Sequence, residues 1–323
     1  MANSDEQAEF TILGILDEPP RIALMSTDNT LAIYSTDGTL VGQAPTIHGP
    51  GRMIRTAPGW IGAATSKQVV ICDIQRNVSR KLDLNLVELT HFVLKPDSYG
   101  IGLVQERDRV GRATAAGRWV FRRELDTPVE ELAVDADGFT AVTLDDGRLL
   151  ILDPAGEPAG HYHVKPEEPL LLVEAPEAST PSCRWVTLAR RSQVLRAHDR
   201  LGKVLWESPL PWEAWQLLRF GGYLVAIAPD GRALAFNGRG QAQGVAKATD
   251  ASLIVFSLDA DGELLRIARQ GTHLIASELN GRVRWRSVSN ASISAIAAGS
   301  SGVAAILGRS LAYFAPTLHA STE

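Results

Sequence analysis

The residues with chemistry to offer are few and scattered. His161-x-His163 sets two imidazoles on one face of a strand, because strand side chains alternate with period two, and such a pair could begin a metal site; no third ligand accompanies it. His48, His91, His198, His273 and His319 show no ligand spacing. Cys72 and Cys183 are isolated, too few for a disulfide framework or a cysteine zinc cluster. No GxSxG, phosphate-binding loop, HExxH or dinucleotide fingerprint occurs in its required context.

The arginines say more. There are 26 against six lysines, a ratio that a GC-rich genome also produces. They cluster as Arg107, Arg109, Arg112, Arg118, Arg122 and Arg123, then Arg184, Arg190, Arg191, Arg196 and Arg200, then Arg266, Arg269, Arg282, Arg284 and Arg286. Guanidiniums facing one mouth would pair bidentately with carboxylate or phosphate. Spread along strand edges, they are solvated charges that discourage sheet aggregation. Near the second group lies Pro209-Leu210-Pro211-Trp212-Glu213-Ala214-Trp215. Trp215 is expected to begin a buried strand. Trp212, in a proline-bounded loop, is either an exposed anchor for a protein partner or a cover folded back over a blade edge.

Something must position these residues, and the sequence shows what. From Glu131 the chain reads ELAV, FTAVTLDDG and RLLILDPAG, then a weaker polar strand ending near His163. Val142 to Gly156 spans 15 positions with a DDG turn in the middle, and this ruler fits again at Leu24–Gly38, Leu103–Gly117, Leu188–Gly202, Ala226–Gly240 and Ile267–Gly281. One unit fits loosely, with Arg76 in place of glycine, and an eighth ends at Leu318. The markers 38, 76, 117, 156, 202, 240, 281 and 318 are separated by 38, 41, 39, 46, 38, 41 and 37 residues. Four short strands in about 40 residues make a β-propeller blade. Such a blade has two apolar faces and buries them only by stacking on its neighbours. The expected fold is all-β, a single propeller of four-stranded blades over 10–318, eight blades rather than seven, with polar tails at 1–9 and 319–323. The run Phe10–Leu16 either opens blade one or closes the last blade.

At some third-to-fourth-strand corners the units share more than a turn. Asp199-x-x-Gly202 leads to Trp206, Glu278-x-x-Gly281 to Trp285, and Thr114-x-x-Gly117 to Phe121. This resembles the quinoprotein-like (PQQ-like) propeller repeat, related to WD40-like propellers, in which an aromatic after the turn glycine docks between blades. The resemblance would imply a quinone-dependent dehydrogenase, but its vicinal cysteine pair is missing. The two DADG turns, at 135–138 and 259–262, lack the further carboxylates that a calcium cage needs. A fold resemblance carries no enzyme with it, and no cofactor is expected.

Composition bounds the rest. Lys+Arg total 32 and Asp+Glu 37, a net charge of −5, which disfavours a broadly cationic nucleic-acid binder. No apolar run approaches the ~18 residues of a membrane span, and MANSDEQAEF lacks the order of a secretory signal, so a cytoplasmic protein is expected. Its expected function is a non-enzymatic scaffold for a protein complex, engaging an acidic or phosphorylated partner through Trp212, Arg190, Arg191, Arg107 and Arg109. The alternative, a small-molecule or sugar-binding propeller with a site at its mouth, requires polar groups converging on the channel, whereas SISAIAAG, LIVFSL and PLLLVEAP read as mostly apolar inner strands.

Overall fold

The computed structural model describes residues 10–17, 20–44, 46–49, 53–95, 100–164, 168–176, 182–251 and 253–315. Every element among them is a β-strand. Consecutive strands pair antiparallel into eight sheets, seven of four strands and a last one of three. The innermost strands pack side by side from the first sheet to the sixth and from the seventh to the eighth, the sixth and seventh sheets share an apolar cluster, and the innermost strands of the first and last sheets meet. The result is the expected β-propeller with eight blades, at 10–43, 53–82, 89–124, 129–163, 170–209, 216–246, 253–288 and 293–314. The tails and the marker at Leu318 lie outside the described residues.

Burial explains why each unit needs its neighbours. Second strands such as Thr140–Leu144 and Trp185–Ala189 are buried at every position, as a strand covered on both faces must be. Outer strands such as Trp119–Glu124 and Val204–Pro209 alternate between half-buried and exposed. The buried side chains fall into eight clusters, each straddling two adjacent blades. The cluster between blades eight and one joins Ile15, Ile22 and Leu24 to Ala297, Ala304 and Ile306. Phe10–Leu16 is therefore the first strand of blade one, paired with Arg21–Ser26. The ring closes by face packing, reinforced by the Ser301 N–H donating to Asp17 Oδ1 at 2.8 Å.

The corners repeat one piece of chemistry. Asp153 Oδ1 accepts the N–H groups of Ala155 and Glu157, and Asp199 Oδ1 those of Leu201 and Lys203. The glycine three residues on takes a positive φ, 89° at Gly156 and 88° at Gly202, which costs glycine little. The DADG turns are built identically on Asp135 and Asp259. In blade two the turn between the second and third strands is one residue longer, 65–68 against 145–147 in blade four, and Asn77 takes the left-handed position (φ 51°) in place of a glycine at 76, so the ruler fits loosely there.

The motif aromatics interlock the blades. Phe121 lies over Gly156 of the next blade, and Trp206 over Gly240, where an added Cβ would meet the indole at 2.6 Å. Trp285, buried, stacks on Phe314 with ring centroids 5.5 Å apart. Where the equivalent outer-strand residue is glycine, the next corner fills the space instead: Leu201 sits against Gly160 and Leu279 against Gly244. Large residues thus face small ones around the rim, as close packing requires.

Candidate functional site at the upper mouth of the channel

Each connection between blades is tied to the second-to-third-strand turn of the preceding blade. The Val129 N–H donates to Arg107 O at 2.6 Å, Leu89 to Ser66 O at 2.7 Å, and Leu210 to Gln193 O at 2.7 Å. Connections and turns therefore share one face, here called upper, while the DxxG corners lie on the other. Two of the upper turns carry the predicted arginines. In the turn joining Gly100–Gln105 to Arg109–Ala113, Glu106 (φ 49°) and Arg107 (φ 65°) both occupy the left-handed region. Side chains beyond Cβ are strained there, at a cost of order 1–3 kcal/mol each. The turn is held by Glu106 N–H donating to Glu88 O at 3.0 Å and by the Val129 bond. The turn at 190–193 is held from below: the buried carboxylate of Glu168 accepts the backbone N–H groups of Arg191 and Ser192.

The predicted site residues come to different ends. Arg107 pairs with Glu130 at 3.1 Å, and Arg109 folds back on Glu106. Arg190 stands near Glu131, whose ionised form it favours. Arg191 is exposed. Among the described residues neither Arg190 nor Arg191 has a carboxylate at ion-pair distance. Trp212 is not exposed. It is 8% accessible, lies in the core between blades five and six, and carries the Arg232 guanidinium 5.4 Å above its ring. Trp215, expected in the core, is 54% accessible. Trp215 stands at the bend between buried Ala214 (1%) and the exposed first strand residue Gln216, ahead of the in–out alternation that begins at Leu217. Of the two readings of Trp212 the structure matches the cover folded back over the blade edge, and Trp215, expected in the core, faces solvent instead.

Most of the other clustered arginines join neighbouring blades or strands. Arg112 donates to Pro154 O at 2.7 Å, Arg123 to Gly156 O at 3.1 Å and Arg284 to Asp259 at 2.7 Å. Arg200 and Arg184 converge on Asp137. Arg269 donates to Ile293 O. For His161 and His163, no group of three or more candidate metal donors forms among the described residues.

The reading of the inner strands as mostly apolar needs correction. Lys95 from blade three and Arg219 from blade six both reach Glu174 Oε2 of blade five, each at 2.7 Å. These residues stand at or near the ends of their inner strands, Leu89–Lys95, Leu170–Glu174 and Gln216–Phe220. Because blade four lies between blades three and five, the triad spans the channel. Above it, nearer the upper mouth, are Arg55 of Met53–Ala57, His91 of Leu89–Lys95 and Glu131 of Val129–Val134. Desolvation pushes the Glu131 carboxyl up to about 7, against the pull of Arg55 and Arg190. It also lowers Arg55 and His91. Arg55 is nonetheless exposed by area. Both hold for a group in a narrow channel, which water reaches while protein surrounds it. The sequence signal was available: each of these inner strands carries a charge that a fully packed strand would not.

No family model matches this chain and no curated protein matches it. Its structure is similar to the computationally designed protein Ika8, with a TM-score of 0.67 and 12% identity over 97% of this chain and 98% of that one. It is also similar to BamB from Moraxella catarrhalis, with a TM-score of 0.61 and 13% identity over 93% and 94%. At these identities the likeness is one of fold.

Proposed function

We propose that the protein is a non-enzymatic, cytoplasmic interaction platform. It engages an acidic or phosphorylated protein partner across its upper face, with Trp215 as aromatic anchor and with Arg190, Arg191, Arg107 and Arg109 as the cationic contacts on the same face. The observation that carries this reading is Trp215, a large ring 54% exposed at the end of a connection held against the Arg190–Gln193 turn. Aromatic and arginine side chains are enriched in binding hot spots, Arg190 and Arg191 carry no carboxylate at ion-pair distance among the described residues, and the clamped turns supply rigidity before binding. The quinoprotein-like corner repeat fits the same reading as architecture, with its aromatics consumed by the seams. The cysteines offer no nucleophile, since both are buried and desolvation pushes the Cys72 thiol up to about 12.

The test is affinity capture from lysate of the source cells. Wild type would be compared with Trp215→Ala/Arg190→Ala/Arg191→Ala and with Val245→Ser on an outer strand. A stoichiometric protein lost only with the triple variant is the expected result. A protein kept by all three, or none captured, would overturn the assignment of this face.

A further inference from the structure

We propose that the groove above blade two binds a sugar phosphate, with Lys67 and Lys81 holding its phosphate and Asp83 and Asn85 its hydroxyls. The inference is independent of the protein partner proposed above.

The groove is a cavity of about 570 Å³ lined by Lys67, Gln68 and the run 81–86, a size in the range of small-molecule pockets. Lys67 and Gln68 stand in the turn between Trp60–Ala64 and Val69–Asp73, and 83–86 lies in the connection from Val78–Leu82 to Leu89–Lys95. Both belong to the upper face. Each wall is fixed in place. Thr65 Oγ1 donates to His48 O at 2.6 Å, the His48 N–H donates to Gln68 Oε1 at 2.8 Å, and the Leu89 N–H holds Ser66 O. On the other wall Leu82, Leu84 and Leu86 are buried at alternate positions, and Trp119 Nε1 donates to Leu84 O at 3.3 Å. That alternation leaves Asp83 and Asn85 exposed.

The groups that line the groove select an anion. Two ammoniums face one carboxylate, and among the described residues Lys67, Lys81 and Asp83 make no ion pair. With Gln68 Oε1 engaged by His48, the amide nitrogen is the end left to meet a ligand, and it is a donor. Among the described residues the backbone N–H groups of Leu84, Asn85 and Leu86 have no acceptor. Asn85 is left-handed, φ 48°. Such a residue breaks the strand's alternation and lets neighbouring N–H groups converge, as in backbone anion nests. A phosphate, with three acceptor oxygens, suits donors arriving from several sides better than a planar carboxylate does. One phosphate does not fill the cavity. The Asp83 carboxylate accepts hydroxyl hydrogen bonds and repels a second phosphate, and the Asn85 amide takes hydroxyls of either polarity. The ligand class is therefore a sugar monophosphate.

Calorimetric titration of the full chain with glucose 6-phosphate, inorganic phosphate and glucose tests this. Glucose 6-phosphate should bind more tightly than phosphate, and glucose should give no measurable heat. Lys67→Gln/Lys81→Gln should lose about tenfold or more for both anions, as removal of charge-assisted donors does. Asp83→Asn should weaken glucose 6-phosphate by about threefold or more, while phosphate binds at least as tightly because a repelling charge is gone. Lys203→Gln, at an exposed corner of the lower face, should match wild type. Urea melts of each variant confirm folding. Binding of neither anion to wild type, or unchanged binding by the double lysine variant, would overturn the site. Equal affinities for phosphate and glucose 6-phosphate, or no effect of Asp83→Asn, would overturn the sugar phosphate as its ligand.

Discussion

The seams between blades and the hub of the ring meet one constraint by opposite means. At the seam between blades five and six, Trp212, Leu210, Leu217, Leu224 and Phe236 fill the space between sheets with apolar volume. At the hub the space between inner strands is filled by charge: Lys95, Glu174 and Arg219 meet at 2.7 Å. Two flat apolar faces can approach until they exclude water. Eight inner strands around an axis cannot all converge, and the central gap is left for long polar side chains and water. The seams therefore set most of the stability, and the hub holds the charge.

Breaking a seam should have the largest effect. Trp212→Ala is expected to destabilise by about 3–5 kcal/mol, as large-to-small core changes do, whereas Trp215→Ala should stay within about 0.5 kcal/mol; urea unfolding measures both. Equal effects would mean that the two tryptophans are not divided between core and surface. Gly240→Ala follows, at about 2–4 kcal/mol, since its φ of 75° and the Trp206 ring both resist a Cβ. Combining it with Trp206→Ala should cost less than the sum, because the clash is then absent; strict additivity would refute the interlock.

At the hub, Glu174→Gln leaves Lys95 and Arg219 facing one another. With these side chains only 21–27% accessible, a loss of about 1–3 kcal/mol is expected, and added salt should reduce it. Insensitivity to both would mean that the triad is not a structural element.

The pH response separates the regions most finely. His198 is buried at the seam between blades four and five, with its ring nitrogens 2.8 Å from Thr187 Oγ1 and 3.1 Å from Gly202 O. Burial lowers it to about 4. Between roughly pH 6.5 and 4 the unfolded chain takes up a proton that the folded one refuses, so stability falls as pH falls. Glu131, at the hub, is raised to about 7. Between roughly pH 4.5 and 7 the unfolded chain releases a proton that the folded one keeps, so stability falls as pH rises. The two responses oppose one another between roughly pH 4.5 and 6.5, so His198→Gln should unmask the fall with rising pH set by Glu131, and Glu131→Gln the fall with falling pH set by His198, each by up to about 3 kcal/mol over its range. Slopes that survive both substitutions would place the titration elsewhere.

The propeller was legible because each blade's signals are local. Apolar strands, Asp-initiated turns and a corner glycine all lie within one unit of about 40 residues, and the repeat itself announces the architecture. Phe121, Trp206 and Trp285 could be assigned to the seams for the same reason. The candidate site was legible only in part. The Arg190–Arg191 turn and the 209–215 connection lie on one face as expected from strand order. Which tryptophan faced out depended on the bend that precedes the inner strand of blade six, ahead of its alternation. The charged hub was missed because its members stand on different blades, Lys95 and Glu174 being 79 positions apart.

By itself, then, the amino-acid order determined the strands, their turns, the number of blades and the aromatics that lock them, since each follows from periodicity and backbone conformation within a few residues. Only the tertiary structure decided that Phe10–Leu16 opens blade one, that Trp215 and not Trp212 meets solvent, and that Lys95, Glu174 and Arg219 meet across the hub. Those outcomes depend on the closing of a ring, which brings together residues that no local pattern relates.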